Sequence, residues 1–309
     1  MERPTGTVAA VAFAAVAAFG ARADAQSTDA CRLTTKQAIE ACKLSAKSGK
    51  AVALGKCANL PDAAPRKACI QQASADSRDA LTTCADERGV RDTSCMKLCP
   101  APYHPTIDPA NFVATIDNPY FPLKPGTTFI YEGQTPDGLN HTEFFVTHNT
   151  KVILGVTCIE IHDTVQIAGT LEEDTLDWFA QDKDGNVWYF GEHTMELADG
   201  RPTTLAGTFV GGVNGAQPGI IMEAHPAIGD FYRQEFDLRN AEDFAEVVSL
   251  TETVTVPTGT YSNCLKTKET TPLETSLLEN KYYAPNVGNV STVDLTTGQR
   301  VELVGITME

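Results

Sequence analysis

Seven cysteines between Cys31 and Cys99 restrict this 309-residue chain more than any other feature, because the stretch that carries them is too short to build a sufficient core of its own. The other two, Cys158 and Cys264, stand far apart in the remainder. Most of the seven are separated by ten to fourteen residues, whereas zinc sites use short C-x2-C pairs, and no C-x-x-C-H haem motif occurs. No metal site and no cofactor are expected. What remains is a disulfide framework made in an oxidising compartment. Seven is odd, so one thiol is left over; Cys99, last in the series and beside Pro100, is the expected spare. Cys158 and Cys264 each open a candidate strand just after a turn, and as exported cysteines outside the cluster they are expected to pair with each other.

Residues 1–25 read as an export signal, with an apolar run over Val8–Phe19 and an A-x-A cleavage pattern at Ala23-Asp24-Ala25 that leaves Gln26 as the new terminus. The run is shorter than the roughly 20 residues a membrane span needs, so an integral membrane protein is not expected. Cys31 follows Thr28-Asp29-Ala30, which lacks the small-residue context of a lipoprotein signal. The expected location is periplasmic or secreted.

Charge divides the mature chain near Cys99-Pro100. Residues 26–100 carry 12 basic and 8 acidic side chains, residues 101–309 carry 10 and 30, and all six histidines lie in the second part. An overall charge of -16 excludes a general nucleic-acid binder. Ala, Lys, Gln and Arg dominate residues 26–100 and favour helix. Ala41-Cys42, Ala53-Leu54 and Cys57-Ala58 recur 27 residues later as Ala68-Cys69, Ala80-Leu81 and Cys84-Ala85, an internal repeat. Residues 101–309 show alternating strands and turns such as Asp184-Gly185 with no strand–helix alternation. The expected fold is therefore α+β: mainly antiparallel β, as a curved sheet, half-barrel or sandwich, preceded by a disulfide-rich α-helical region. Opposite net charges make docking of the two regions plausible and sensitive to salt.

The strand sequences resemble a widespread family of uncharacterised secreted bacterial β-sheet proteins. The resemblance rests on Asp177–Glu192 (DWFAQDKDGNVWYFGE), Gly219–Met222 (GIIM), Gly229–Glu235 (GDFYRQE), Asn263–Glu269 (NCLKTKE), Pro272–Glu274 (PLE) and Lys281–Gly288 (KYYAPNVG), and covers residues 111–307. It implies a fold and no established activity. The family usually has glycine where this chain has Asn286, so that turn is a point of departure; asparagine also tolerates a left-handed backbone.

Several stretches compete as sites. His225-Pro226, Asp230 and Arg233-Gln234-Glu235 form the richest one: along a strand from Phe231, Arg233 and Glu235 would share a face, Arg233 clamping an anion while Glu235 or His225 handles a proton. The alternative is a turn entering a strand whose Arg and Glu pair structurally. Glu173 and Asp177 would share one face and Asp174 the other, although plain solvated charge is the preferred reading. Asp182–Asn186 reads as a hairpin turn rather than a calcium loop. Five glycines between Gly207 and Gly219 suggest a mobile loop, and His141, His148 and His162 show no ligand spacing. No G-x-S-x-G, H-E-x-x-H or Walker motif occurs. The sequence thus favours a binding or structural protein for an unknown small molecule or protein, with Trp188, Tyr232 and Arg233 as ligand-binding candidates. The competing reading is a cofactor-independent hydrolase or lyase using His225, Asp230, Arg233 and Glu235.

Overall fold

The structure, a computed structural model, describes residues 29–309, and the expected export segment lies outside them. Two helices come first, α1 (Ala30–Ala58) and α2 (Ala63–Lys97). Asp29 caps α1 by accepting the Arg32 backbone N–H at 3.0 Å. Disulfides join Cys31 to Cys95, Cys42 to Cys84 and Cys57 to Cys69, with sequence separations of 64, 42 and 12 residues. Such nested bonds make α1 and α2 an antiparallel hairpin. The intervals between the six bonded cysteines are 11, 15, 12, 15 and 11, the same read in either direction. The 27-residue repeat is thus the by-product of a mirror symmetry about the hairpin turn. Cys31, Thr35, Ala38, Ile39 and Cys42 form the buried stripe of α1, at the three-and-four spacing of one helix face, while Leu44 and Val52 remain exposed. Cystines stand where larger apolar side chains would otherwise fill the helix contact. Cys99 is free and exposed. None of the described helices is long and apolar enough to cross a membrane.

The rest of the chain is one antiparallel sheet. Its first half contains β1 (Phe112–Val113), β2 (Thr127–Thr135), β3 (Gly138–Ile153), β4 (Val156–Ile167), β5 (Thr170–Asp182), β6 (Val187–Ala198), β7 (Arg201–Thr204) and β8 (Phe209–Val210). The second half contains β9 (Gln217–Met222), β10 (Phe231–Arg233), β11 (Glu235–Phe236), β12 (Phe244–Val256), β13 (Gly259–Thr270), β14 (Leu278–Ala284), β15 (Gly288–Asp294) and β16 (Arg300–Met308). Neighbours run β10-β12-β13-β14-β15-β16-β2-β3-β4-β5-β6-β9-β11. The two ends of that order, β10 and β11, are separated in sequence by Gln234 alone. Phe231–Arg233 pairs with β12, and Glu235–Phe236 pairs with β9. A single stretch of six residues therefore closes the sheet into a nearly complete barrel. Gly219 makes the closure sterically possible, since a Cβ there would lie 2.4 Å from the carbonyl carbon of Gln234.

Alternation sends the aromatic run of β5 and β6 to two different cores. Phe179 and Tyr189 face the barrel interior, while Trp178, Ala180 and Phe190 pack outside beneath Ile107 and Phe112. Burial on both faces is why these strands read as nearly unbroken apolar stretches. The turn between them follows the hairpin expectation: Asp182 accepts from the Asn186 backbone and side chain at 2.9 Å each and from the Trp188 indole at 2.9 Å. Asn286 adopts φ 63°, the left-handed conformation that glycine would supply.

Cys158 and Cys264 do not form the expected bond. Both are buried free thiols, Cys158 in the outer core and Cys264 in the inner one. Their strands, β4 and β13, have β14, β15, β16, β2 and β3 between them in the sheet, and at about 4.8 Å per strand that is far beyond disulfide reach. Burial pushes the Cys158 thiol up to about 12, so it is inert rather than reactive.

The hairpin docks on the barrel through a buried ion cluster. Arg91 of α2 grips both oxygens of Glu242 at 2.7 and 2.6 Å and Glu87 at 2.9 Å. Arg239 lies 3.6 Å from Glu87, and Lys97 binds Glu246 at 2.6 Å on the rim. Arg91, Glu87 and Glu242 are each buried, so salt screens this contact far less than the surface docking that net charge suggested.

Two outcomes follow for stability. Gly219→Ala should cost about 2–3 kcal/mol or more in a denaturant melt, whereas Gly55→Ala in α1, with open space around it, should be neutral or slightly stabilising. Arg91→Met should cost about 3–5 kcal/mol by leaving Glu87 and Glu242 buried without their partner, and 1 M salt should change the wild-type melt little.

Candidate functional site

Inside the barrel lies a cavity of about 510 Å³, in the size range of small-molecule sites. Phe121, Pro122 and Leu123, from the segment preceding β2, supply part of its wall. That segment is held by Asn118, whose amide reaches the carbonyls of Gly185 at 2.9 Å and Glu223 at 3.1 Å. Gln181 reinforces it by accepting from the backbones of Asp117 and Asn118. Phe121 stands edge-on to Phe179, and Phe179 stacks on Tyr189 with centroids 4.7 Å apart. Tyr131, Phe129, Phe144 and Tyr283 extend this aromatic lining.

Against the aromatic wall the strands set carboxyl groups. Asp163 comes from β4, Glu173 and Asp177 from β5, Glu235 from β11, Glu279 from β14, and Asp243 from the residue before β12. Glu192 of β6 sits directly across the ladder from Asp177, and the Tyr189 hydroxyl lies within hydrogen-bond distance of both. The one lysine of the cavity, Lys281, is already committed to Glu269 at 2.8 Å, and Glu269 also accepts from Thr267 and Tyr283. Among the described residues, none of Asp163, Glu173, Asp177, Glu192, Glu235 and Asp243 forms an ion pair. Gln234 Nε2 and Asp163 Oδ1 are buried with no hydrogen-bond partner.

Like charges in an apolar chamber hold their protons. Burial, then the neighbouring Glu173, raises Asp163 to about 7. Burial and then Asp163 raise Asp177 to about 8. Glu192 is pushed to about 8 by burial and then Asp177, and Asp243 to about 6 by burial. Glu235 is held well above the carboxylate range by burial and then Asp243. Burial opposes the charge of Lys281, but Glu269 and its neighbours outweigh it and raise the amine.

The residues singled out in the sequence part company here. Gln234 interrupts the strand expected from Phe231 onward and shifts its phase, so Glu235 enters the lumen while Arg233 points outward to the helical hairpin. His225 is exposed, and Asp230 caps its own turn by accepting from Ala227 at 2.7 Å. No hydrogen bond or ion pair joins any two of His225, Asp230, Arg233 and Glu235 among the described residues, so the geometry does not assemble the acid–base group. Trp188, Tyr232 and Arg233 do meet, but in a second cavity between hairpin and barrel. Glu173 and Asp177 share the inner face as alternation requires; they line the cavity rather than bulk solvent, while Asp174 turns outward to His162 at 2.9 Å. The glycine-rich segment is packed at Phe209, buried edge-on to Tyr189, and at Val210, which pairs with Gly191, while Gly212–Gly215 form an exposed turn. Asp163, Glu192, Asp243 and Lys281 were missed. The ladder starts at Gln181–Val187 and slips by one residue between Phe179 and Trp178, so the Asp177–Glu192 pairing could not be counted outward from the turn.

No family model matches this chain, and no curated protein matches it. Among solved structures it is similar to a protein described as "a putative lipoprotein from Parabacteroides distasonis", at 16% identity and a TM-score of 0.30, over 61% of this chain and 98% of that one. A likeness that low bears on neither the fold nor the function of this chain.

The buried carboxyls set a sign for stability against pH. Their folded values lie above those of an unfolded chain, so between about pH 4 and 8 the folded state keeps protons that the unfolded state has released, and stability falls as pH rises. The melting temperature should be about 5 °C or more lower at pH 8.5 than at pH 5.5, with Asp177→Asn reducing the difference. A flat or rising profile across that window would contradict the assignment.

Proposed function

We propose that this is an extracytoplasmic binding protein whose barrel takes a small organic cation, an amine carried on a flat or apolar body. One observation carries the reading: five lining carboxyl groups that form no ion pair among the described residues, Asp163, Glu173, Asp177, Glu235 and Asp243, share the barrel cavity with aromatic faces. An ammonium group satisfies both halves of that chamber, as counter-ion to the carboxylates and through cation–π contact with Phe179, Tyr189 or Tyr131. The carboxyls are spread around the wall and no three of the described His, Cys, Asp or Glu residues converge as a metal site requires, which favours an extended organic cation over a metal ion. Three disulfides agree with folding in an oxidising compartment, periplasmic or secreted. The resemblance to uncharacterised secreted bacterial β-sheet proteins would extend the same reading to that family.

Binding a cation draws the carboxyls into their ionised form, so affinity rises with pH and protons are released on binding. Calorimetry with tryptamine at pH 8 should show binding that weakens at least tenfold at pH 6, while indole-3-acetate gives none. Glu235→Gln and Asp177→Asn should each weaken tryptamine about fivefold or more, in line with loss of a charge-assisted contact. Equal affinity for tryptamine and indole-3-acetate, or no proton release, would sink the proposal.

A further inference from the structure

Outside the barrel, the hairpin and the sheet enclose a second cavity of about 510 Å³ with chemistry opposite to that of the lumen. Its walls are largely apolar, from Leu98, Pro102, Tyr103, Trp188, Ile220 and Phe236. Among the described residues no carboxylate lines it. Its two cations are Lys97 and Arg233, and Lys97 is engaged by Glu246 at 2.6 Å and lies over the Phe231 ring.

Arg233 is the anomaly. The residue is only 7% exposed, yet among the described residues its Nη1 has no hydrogen-bond partner, and its Nη2 approaches only the Cys31 sulfur at 3.9 Å. Glu242 is the carboxylate that favours its charge, but Arg91 occupies both of that carboxylate's oxygens. The Phe236, Phe244 and Tyr103 rings stand 4.6, 5.0 and 5.4 Å from the guanidinium carbon. Aromatic faces orient a guanidinium and soften its desolvation, but they accept none of its in-plane N–H bonds. A buried cation without an acceptor is costly to keep, and burial lowers the pKa of Arg233 accordingly. Tyr103 is fixed independently, its hydroxyl donating to the Pro218 carbonyl at 2.9 Å, so the box around the guanidinium is built by both the linker and the barrel seam.

We propose that this hairpin–barrel cavity is a second ligand site, for a single-chain amphiphile bound by its carboxylate, with Arg233 as the anion-binding residue and Tyr103, Trp188 and Phe236 against the chain. A carboxylate supplies the paired acceptors the guanidinium lacks, and the apolar walls take the hydrocarbon. The site is independent of the lumen: it carries the opposite charge preference and lies on the other face of the sheet.

The test uses the full, oxidised protein and three ten-carbon probes: decanoate, decanol and decyl phosphate. Calorimetry should show decanoate binding at least tenfold tighter than decanol. Arg233→Met should remove that advantage while leaving decanol unchanged, and Glu235→Gln in the lumen should leave decanoate untouched. Since Arg233→Met could disturb the seam, Ala101→Trp, at an exposed point on the cavity wall, provides a second variant; it should block decanoate without altering the melting temperature. Decanoate affinity unchanged by Arg233→Met or by Ala101→Trp, or equal affinity for decanoate and decanol, would overturn the proposal. Decyl phosphate binding tenfold tighter than decanoate would overturn the carboxylate assignment.

Discussion

Phe231–Phe236 bonds to β12 through its first three residues and to β9 through its last two, so the barrel has a seam where most barrels have a strand. At Gln234 the segment changes partner, and its backbone N–H reaches across to Asp243 at 2.8 Å. The same change of phase decides the chemistry on both sides of the wall. A regular strand would have put Arg233 and Glu235 on one face, where they would neutralise each other. The break puts the carboxyl inside and the guanidinium outside, and each then lacks the other. One displaced residue thereby separates an acidic lumen from a basic pocket that share a wall.

The acidic lumen is an expensive arrangement for a protein to keep. Carboxyls opposed across a ladder, as Asp177 and Glu192 are, destabilise a sheet when ionised, and burial compounds the effect. The chain relieves this by holding protons, by sharing the Tyr189 hydroxyl between two of the groups, and by giving Lys281 to Glu269. Apolar residues at the same inward positions would make a more stable barrel. Strain of this kind collects at sites that bind or react, which is the physical basis for reading the lumen as functional.

The sequence revealed the elements better than their closure. Helix composition, Asp-Gly turns and period-two alternation located the hairpin and most strands, and alternation alone separated Glu173 and Asp177 from Asp174. It failed at two kinds of place. Pairing between distant strands left no local trace, so Cys158 and Cys264 looked like natural partners although five strands separate them. Phase breaks inside a strand were equally silent, and Gln234 between Arg233 and Glu235 gave no signal such as glycine or proline. Carboxylates contributed by strands far apart in the chain, such as Asp163 and Asp243, converge only once the barrel is closed. The nested cysteine intervals were fully legible, but a translational repeat and a mirror image share the same 27-residue offset.

The concentric disulfides have a consequence for how the molecule matures. The innermost pair encloses a separation of 12 residues and closes at the lowest entropic cost, and each outer bond then only extends an alignment already made. The hairpin can therefore lock itself before the rest of the chain has folded. The barrel closes later, because β2 pairs at once with β3 across a short turn but finds its other neighbour only in β16, some 170 positions downstream. Maturation runs from a covalently finished clasp to a late, all-at-once closure, and until that moment the carboxyls of the lumen stay in water, fully ionised.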